Sequence, residues 1–216
     1  MYEFRDATRF ARWTQLALIV FVLVVAWALV VDLLQLRLFY AIDDGSYTPA
    51  ALREAFQSND ARQLVTVPLR LAAYILSGAL ALEWICRANA NARGLGATGL
   101  RYTPGWAAAW FFIPFANLVR PYDALAEIWR ASAHPQGWST QREPLSLRWW
   151  WVLLLFAVGL GIIAAVSFKF ARVAGTVIDA TWYTALSDLA GMLAAGFLVR
   201  IIGQVQSMQA EHRPPA

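Results

Sequence analysis

The chain has one cysteine, Cys86, and only two histidines, His134 and His212. A single thiol excludes an intramolecular disulfide framework, and so few thiol and imidazole groups leave little for a metal site. Charge is scarce too: Asp, Glu, Lys and Arg make up 15% of the 216 residues, whereas 59% are hydrophobic and the mean hydropathy is +0.48. That balance excludes an ordinary soluble domain and describes an integral membrane protein forming one unit. The formal net charge of +4 and pI near 9.6 would suit nucleic acid. The arginines, however, flank apolar stretches instead of clustering on a polar face, so membrane orientation accounts for them and no nucleic-acid partner is expected. Eleven tryptophans, several beside the ends of apolar runs, fit an interfacial aromatic belt.

Four apolar runs have spanning length, at about residues 14–38, 64–86, 149–168 and 182–202. Each can cross as a helix, which satisfies its own backbone where no water is available. The predicted fold is all-α: an integral membrane bundle of four transmembrane helices plus a proline-broken re-entrant or interfacial helix. Residues 1–13 form a cytoplasmic segment, residues 14–206 a single transmembrane domain, and residues 207–216, ending in HRPPA, a disordered tail. Arg5, Arg9 and Arg12 precede the first run like a signal peptide's charged start, but the run is too long and lacks a small-residue cleavage site, so it reads as an uncleaved anchor. Residues 40–63 contain the turn-rich DDGSYTP and then a helical spacing of Leu52 and Phe56, which predicts a short helix on the outer surface.

The broken element lies at about residues 106–131. Its uninterrupted apolar part, residues 106–119, is 14 residues long, short of the roughly 20 needed to cross as a helix. Trp110, Pro114, Asn117, Pro121, Ala124 and Ile128 recur at helical intervals, which predicts a continuing helix kinked where Pro121 leaves the Asn117 carbonyl without an amide. The arginine distribution sets its placement. The loop after the second run holds Arg87, Arg93 and Arg101 with no acid, whereas the loop before it mixes Arg37, Arg53 and Arg62 with Asp43, Asp44, Glu54 and Asp60. The N-terminus is therefore cytoplasmic, and if the broken segment does not cross, Arg120, Arg130, Arg142 and Arg148 join the same side and both termini are inside.

Two groups of polar residues are candidate sites. Asp32, Arg70 and Asp188 lie within spans, with Arg70 and Asp188 at a similar depth, roughly 9 Å from the outer boundary at 1.5 Å per residue. One arginine facing two aspartates is either a structural ion pair or a proton or cation site, because an intramembrane charge must pair or meet water. At the inner boundary, Glu83, Arg87, Asn91, Asn117, Glu127 and Arg130 could line a polar vestibule, alongside Asn89 and Arg200. Charged helix ends also serve topology alone. Residues 94–99, GLGATG, match a dinucleotide fingerprint formally, but no strand precedes them and Val119 stands where the acid belongs, so they read as a connector. Small residues at Gly191 and Ala195, Ser77 and Ala81, and Gly159 and Gly161 predict close helix packing.

Residues 84–132, WICRANANARGLGATGLRYTPGWAAAWFFIPFANLVRPYDALAEIWRAS, resemble the bacterial membrane family catalogued as domain of unknown function 4328. The resemblance extends over about residues 64–204. Its most specific parts are Arg87 with Asn91, the Pro104-Gly105-Trp106 turn, Pro114 with Asn117, Pro121-Tyr122, and Glu127-Ile128-Trp129-Arg130. It implies a multi-span bacterial inner-membrane protein and transfers no activity.

No nucleophile, base and acid occur as a set, so no catalytic residue and no cofactor are expected. The leading expectation is a non-enzymatic interaction or regulatory protein of the inner membrane, whose partners are the bilayer and a membrane protein or a second copy. The alternative is a small-solute or ion pathway through the broken helix. A lipid-modifying enzyme using Glu83 or Glu127 ranks third, for want of a nucleophile.

Overall fold

The computed structural model describes residues 2–213. Among them six α-helices and three 3₁₀ turns form, and no strand. Four helices are long: α1 (Thr8–Asp43), α2 (Pro49–Gly94), α5 (Leu145–Phe170) and α6 (Ala174–Glu211), each with an apolar window sufficient to cross a bilayer. The short α3 (Pro104–Ala109) and α4 (Arg120–Ala133) fall between α2 and α5 in the chain. Leu23, Leu64, Ile75 and Ile162 on the long helices are more than half exposed, as large apolar residues are when lipid, not water, surrounds a helix.

The helices run past the apolar runs that announce them. The separate outer helix expected near residues 51–62 is the first part of α2, since nothing breaks the helix between it and the span. Two of its side chains bond α1: Asn59 and Gln63 both donate to Gln35 Oε1, at 3.3 and 2.8 Å. Pro68 sits inside α2 without ending it. The tail expected to be disordered from residue 207 is helical as far as Glu211, because Gln209 is buried and its amide donates to Ala88 O and Ser132 Oγ, both at 2.9 Å. Residues 214–216 of that expectation lie outside the described residues.

The chain divides into two compact units where composition suggested one. The first comprises Met1–Ile19, Leu76–Trp151 and Ala195–Ala216; the second comprises Val20–Ile75 and Val152–Ala194.

In the first unit the segment before α1 is pinned against the end of α2. Arg5 N donates to Asn91 Oδ1 at 3.0 Å and Asn91 Nδ2 returns a bond to Arg5 O at 2.8 Å. Gly94 makes this approach possible: a Cβ there would stand 2.6 Å from the Phe4 nitrogen. The next residues stop the helix. Ala97 N bonds Ala92 O at 3.1 Å and Gly96 N bonds Arg93 O at 3.0 Å, with Gly96 at φ +96°, which is the Schellman arrangement with glycine in the left-handed position. Its hydrophobic contact is present as well, since Ala92 and Ala97 share a core with Leu100 and Ala131. The glycines of GLGATG thus form a helix terminus.

In the second unit small residues bring helices together, as their spacing predicts. A Cβ on Gly191 would meet Tyr74 Oη at 3.3 Å, and one on Gly161 would meet Ser187 Oγ at 3.3 Å. Ser187 also donates to Ala157 O at 2.8 Å, tying α6 to α5.

Candidate functional site

The second unit assembles Asp32, Arg70 and Asp188. Arg70 Nη2 donates to Asp32 Oδ2 at 2.8 Å and lies 3.3 Å from Asp188 Oδ2. Both aspartates are buried, with side chains 4% and 3% exposed. The three residues sit on α1, α2 and α6, so one guanidinium ties three helices. Tyr74 completes the group by donating to Asp188 Oδ1 at 3.2 Å. It stands four residues after Arg70 and therefore on the same face of α2, a spacing that could have disclosed it. Two carboxylates face one cation here, and Asp188 Oδ2 is buried with no hydrogen-bond partner.

The inner set does not converge in the same way. Glu83 and Arg87 pair with each other, Arg87 Nε donating at 2.7 Å with both side chains about half exposed, and the Arg87 guanidinium lies 4.0 Å from the centre of the Phe10 ring. Asn91 is spent on the N-terminal segment and on Gln209, whose Oε1 it reaches at 3.4 Å. Arg130 donates to Ala126 O within its own helix and faces the Trp138 ring.

Glu127 joins a network whose centre is Tyr102, a loop residue no periodicity marked. Tyr102 N donates to Glu127 Oε1 at 3.4 Å, while Tyr102 O accepts from Asn89 Nδ2 at 3.1 Å and Arg93 Nη2 at 2.7 Å. Its hydroxyl accepts from Arg120 Nη1 at 3.2 Å. Burial pushes the Glu127 carboxyl above its ordinary value, opposed by the backbone amides of Tyr102 and Arg101 and by the Arg101 and Arg93 cations.

The broken segment departs from the predicted kinked helix. α3 ends in a 3₁₀ turn at Trp110–Phe112, and Ile113 before Pro114 is extended at φ −94°, ψ 114°, the conformation a following proline imposes. Ala116 N then bonds Pro114 O at 2.8 Å around Phe115, whose φ is +63° and ψ −41°. This is a γ-turn of the rare strained kind. A 3₁₀ turn at Ala116–Leu118 carries Asn117, and Pro121 lies in the first turn of α4. There its missing N–H costs nothing, since the first amides of a helix have no intrahelical acceptor. Pro121 therefore starts a helix and does not kink one. Asn117 N donates to Ile113 O at 2.9 Å.

The turns raise an apolar crest: Phe112 is 73% and Phe115 88% exposed, with Leu118 and Val119 beside them. Trp151 of α5 holds it by donating to Leu118 O at 3.1 Å. The flanks of the segment are joined, because Trp138 Nε1 donates to Thr98 O at 2.9 Å and Glu127 reaches back to Tyr102.

Four helices long and apolar enough to cross a membrane, with large apolar residues exposed along them, describe an all-α membrane protein. The family model described as Domain of unknown function (DUF4328) matches residues 47–207, and the chain belongs to that family. No curated protein and no solved structure matches it.

Proposed function

We propose that this chain is a non-enzymatic protein of the bacterial inner membrane, with both termini cytoplasmic, that binds or regulates another membrane component through the crest of residues 106–119. The observation that carries this reading is Phe115: an exposed aromatic held in a strained γ-turn outside the four spans. Strain of this kind persists only where surrounding structure enforces it, and it concentrates at functional segments. The hydrogen bond from Trp138 to Thr98 supports a segment that leaves and returns on one side, and the arginine bias supports the cytoplasmic side. Photocrosslinking from positions 112 and 115 in living cells tests it. The expected product is one position-specific adduct with a membrane protein or a second copy, weakened by Phe112→Ser and absent from Leu23. Adducts with lipid alone would remove the reading.

A second reading, a small-solute or ion pathway, is favoured by the excess carboxylate at Arg70. Under it, Asp188→Asn abolishes flux in proteoliposomes without lowering the unfolding temperature. Loss of folding instead would leave the cluster a structural lock.

A further inference from the structure

Beside the crest, in the first unit, lies an open cleft of about 310 Å³ lined by Arg101, Tyr102, Thr103, Trp106, Trp110 and Arg120. That volume is at the lower end of the range for small-ligand sites, which begins at roughly 300 Å³. Two of its six walls are guanidinium groups and none is acidic. Asp123 attracts Arg120 and Glu127 attracts Arg101, but neither acid lines the cleft. Arg120 is already oriented: its Nη1 donates to the hydroxyl of Tyr102, whose backbone is held by Glu127, Asn89 and Arg93, and its guanidinium lies 5.9 Å from the Trp110 ring centre. The Trp106 and Trp110 ring centres lie 5.2 Å apart, with the planes tilted by 37°. The wall thus holds two arginines beside a pair of indoles.

We propose that this cleft binds the phosphodiester headgroup of an anionic phospholipid. Arginine forks match phosphate oxygens bidentately, and indoles belong at headgroup depth. The crest supplies the other half of the recognition, since Phe112 and Phe115 follow the cleft's tryptophans in sequence and present apolar surface of the kind acyl chains cover. Anionic lipid adds attraction for basic residues at the membrane surface. A soluble phosphate would use the arginines but leave the crest bare. The proposal rests on the preceding reading for the placement of the broken segment at a membrane surface and shares its crest. Lipid binding without a protein crosslink, or the reverse, separates the two.

The test uses the full chain in non-ionic detergent, titrated with phosphatidylglycerol or phosphatidylcholine, with bound lipid read by native mass spectrometry. One phosphatidylglycerol is retained in preference to phosphatidylcholine, and retention falls about tenfold for each charge-assisted hydrogen bond removed by Arg101→Gln/Arg120→Gln. It holds in Arg142→Gln, an exposed arginine outside the cleft. Trp106→Ala keeps both charges and also weakens retention. Equal retention of the two lipids, or undiminished retention by the double variant, overturns the proposal. Displacement by equimolar inorganic phosphate assigns the cleft to a soluble anion and overturns it as well. Circular dichroism checks that the double variant folds; if it does not, Arg120→Lys, which keeps the charge and loses the fork, decides by the same measurement, and unchanged retention there is fatal.

Discussion

Glu127 carries the clearest pH dependence outside the spans. Its carboxyl is raised, so the folded chain holds this proton more tightly than the unfolded chain does. Stability therefore falls as pH climbs from the ordinary carboxylate range through the raised value, and it stays lower above. Glu127→Gln keeps an acceptor for the Tyr102 amide and removes the dependence. Unfolding midpoints across pH are expected to coincide for parent and variant in acid and to favour the variant near neutrality. Gly94 offers a steric test at the same scale. A methyl there meets the backbone at Phe4 and Glu3, at 2.6 and 2.8 Å, and neither atom can turn aside. Gly94→Ala is expected to cost about 1–3 kcal/mol and to expose the N-terminal segment to limited proteolysis.

Between elements, Arg70 joins α1, α2 and α6 in the second unit through two buried aspartates. Removing one member of a buried ion cluster costs more than removing the whole, because the remaining charges lose their compensation. Arg70→Met is expected to lower stability by about 3–5 kcal/mol, and Asp32→Asn/Arg70→Met/Asp188→Asn to recover most of that loss in detergent unfolding. Equal losses for both would mean that the carboxylates need no cation. The sequence placed Arg70 and Asp188 at one depth, where charges in lipid must pair or meet water, whereas the bond from Arg70 to Asp32 comes from the structure. The inner set was not legible, because charged residues at a helix end have water available and need no common partner. There Glu83 and Arg87 turn outward while Asn91 turns to the N-terminus. Prolines were ambiguous for a related reason: Pro121 is compatible with a kink or with a helix start, and the extended Ile113 and the turn at Phe115 decide for the start.

For the whole molecule, side-specific cysteine labelling in a Cys86→Ala background tests the arrangement directly. Cysteines at residues 105 and 136, both exposed, are expected to label from the cytoplasmic face only, because the chain before the segment and the chain after it are hydrogen-bonded through Thr98 and Trp138. Labelling of one end from each face would require the segment to cross, and would place Arg142 and Arg148 on the outer side against the charge bias.

Sequence by itself determined the helical class and the four helices long and apolar enough to cross a membrane, because each follows from composition and run length summed over many residues. It also determined the family, through the residues around the broken segment. Only the tertiary structure decided where helices end, which polar groups meet and what the segment presents. Gln209 extends α6 through partners on distant parts of the chain, Tyr102 gathers four side chains by its place in a loop, and Phe115 is turned outward by a local strain its neighbours enforce. Such outcomes depend on single contacts between residues far apart in sequence, which no local pattern records.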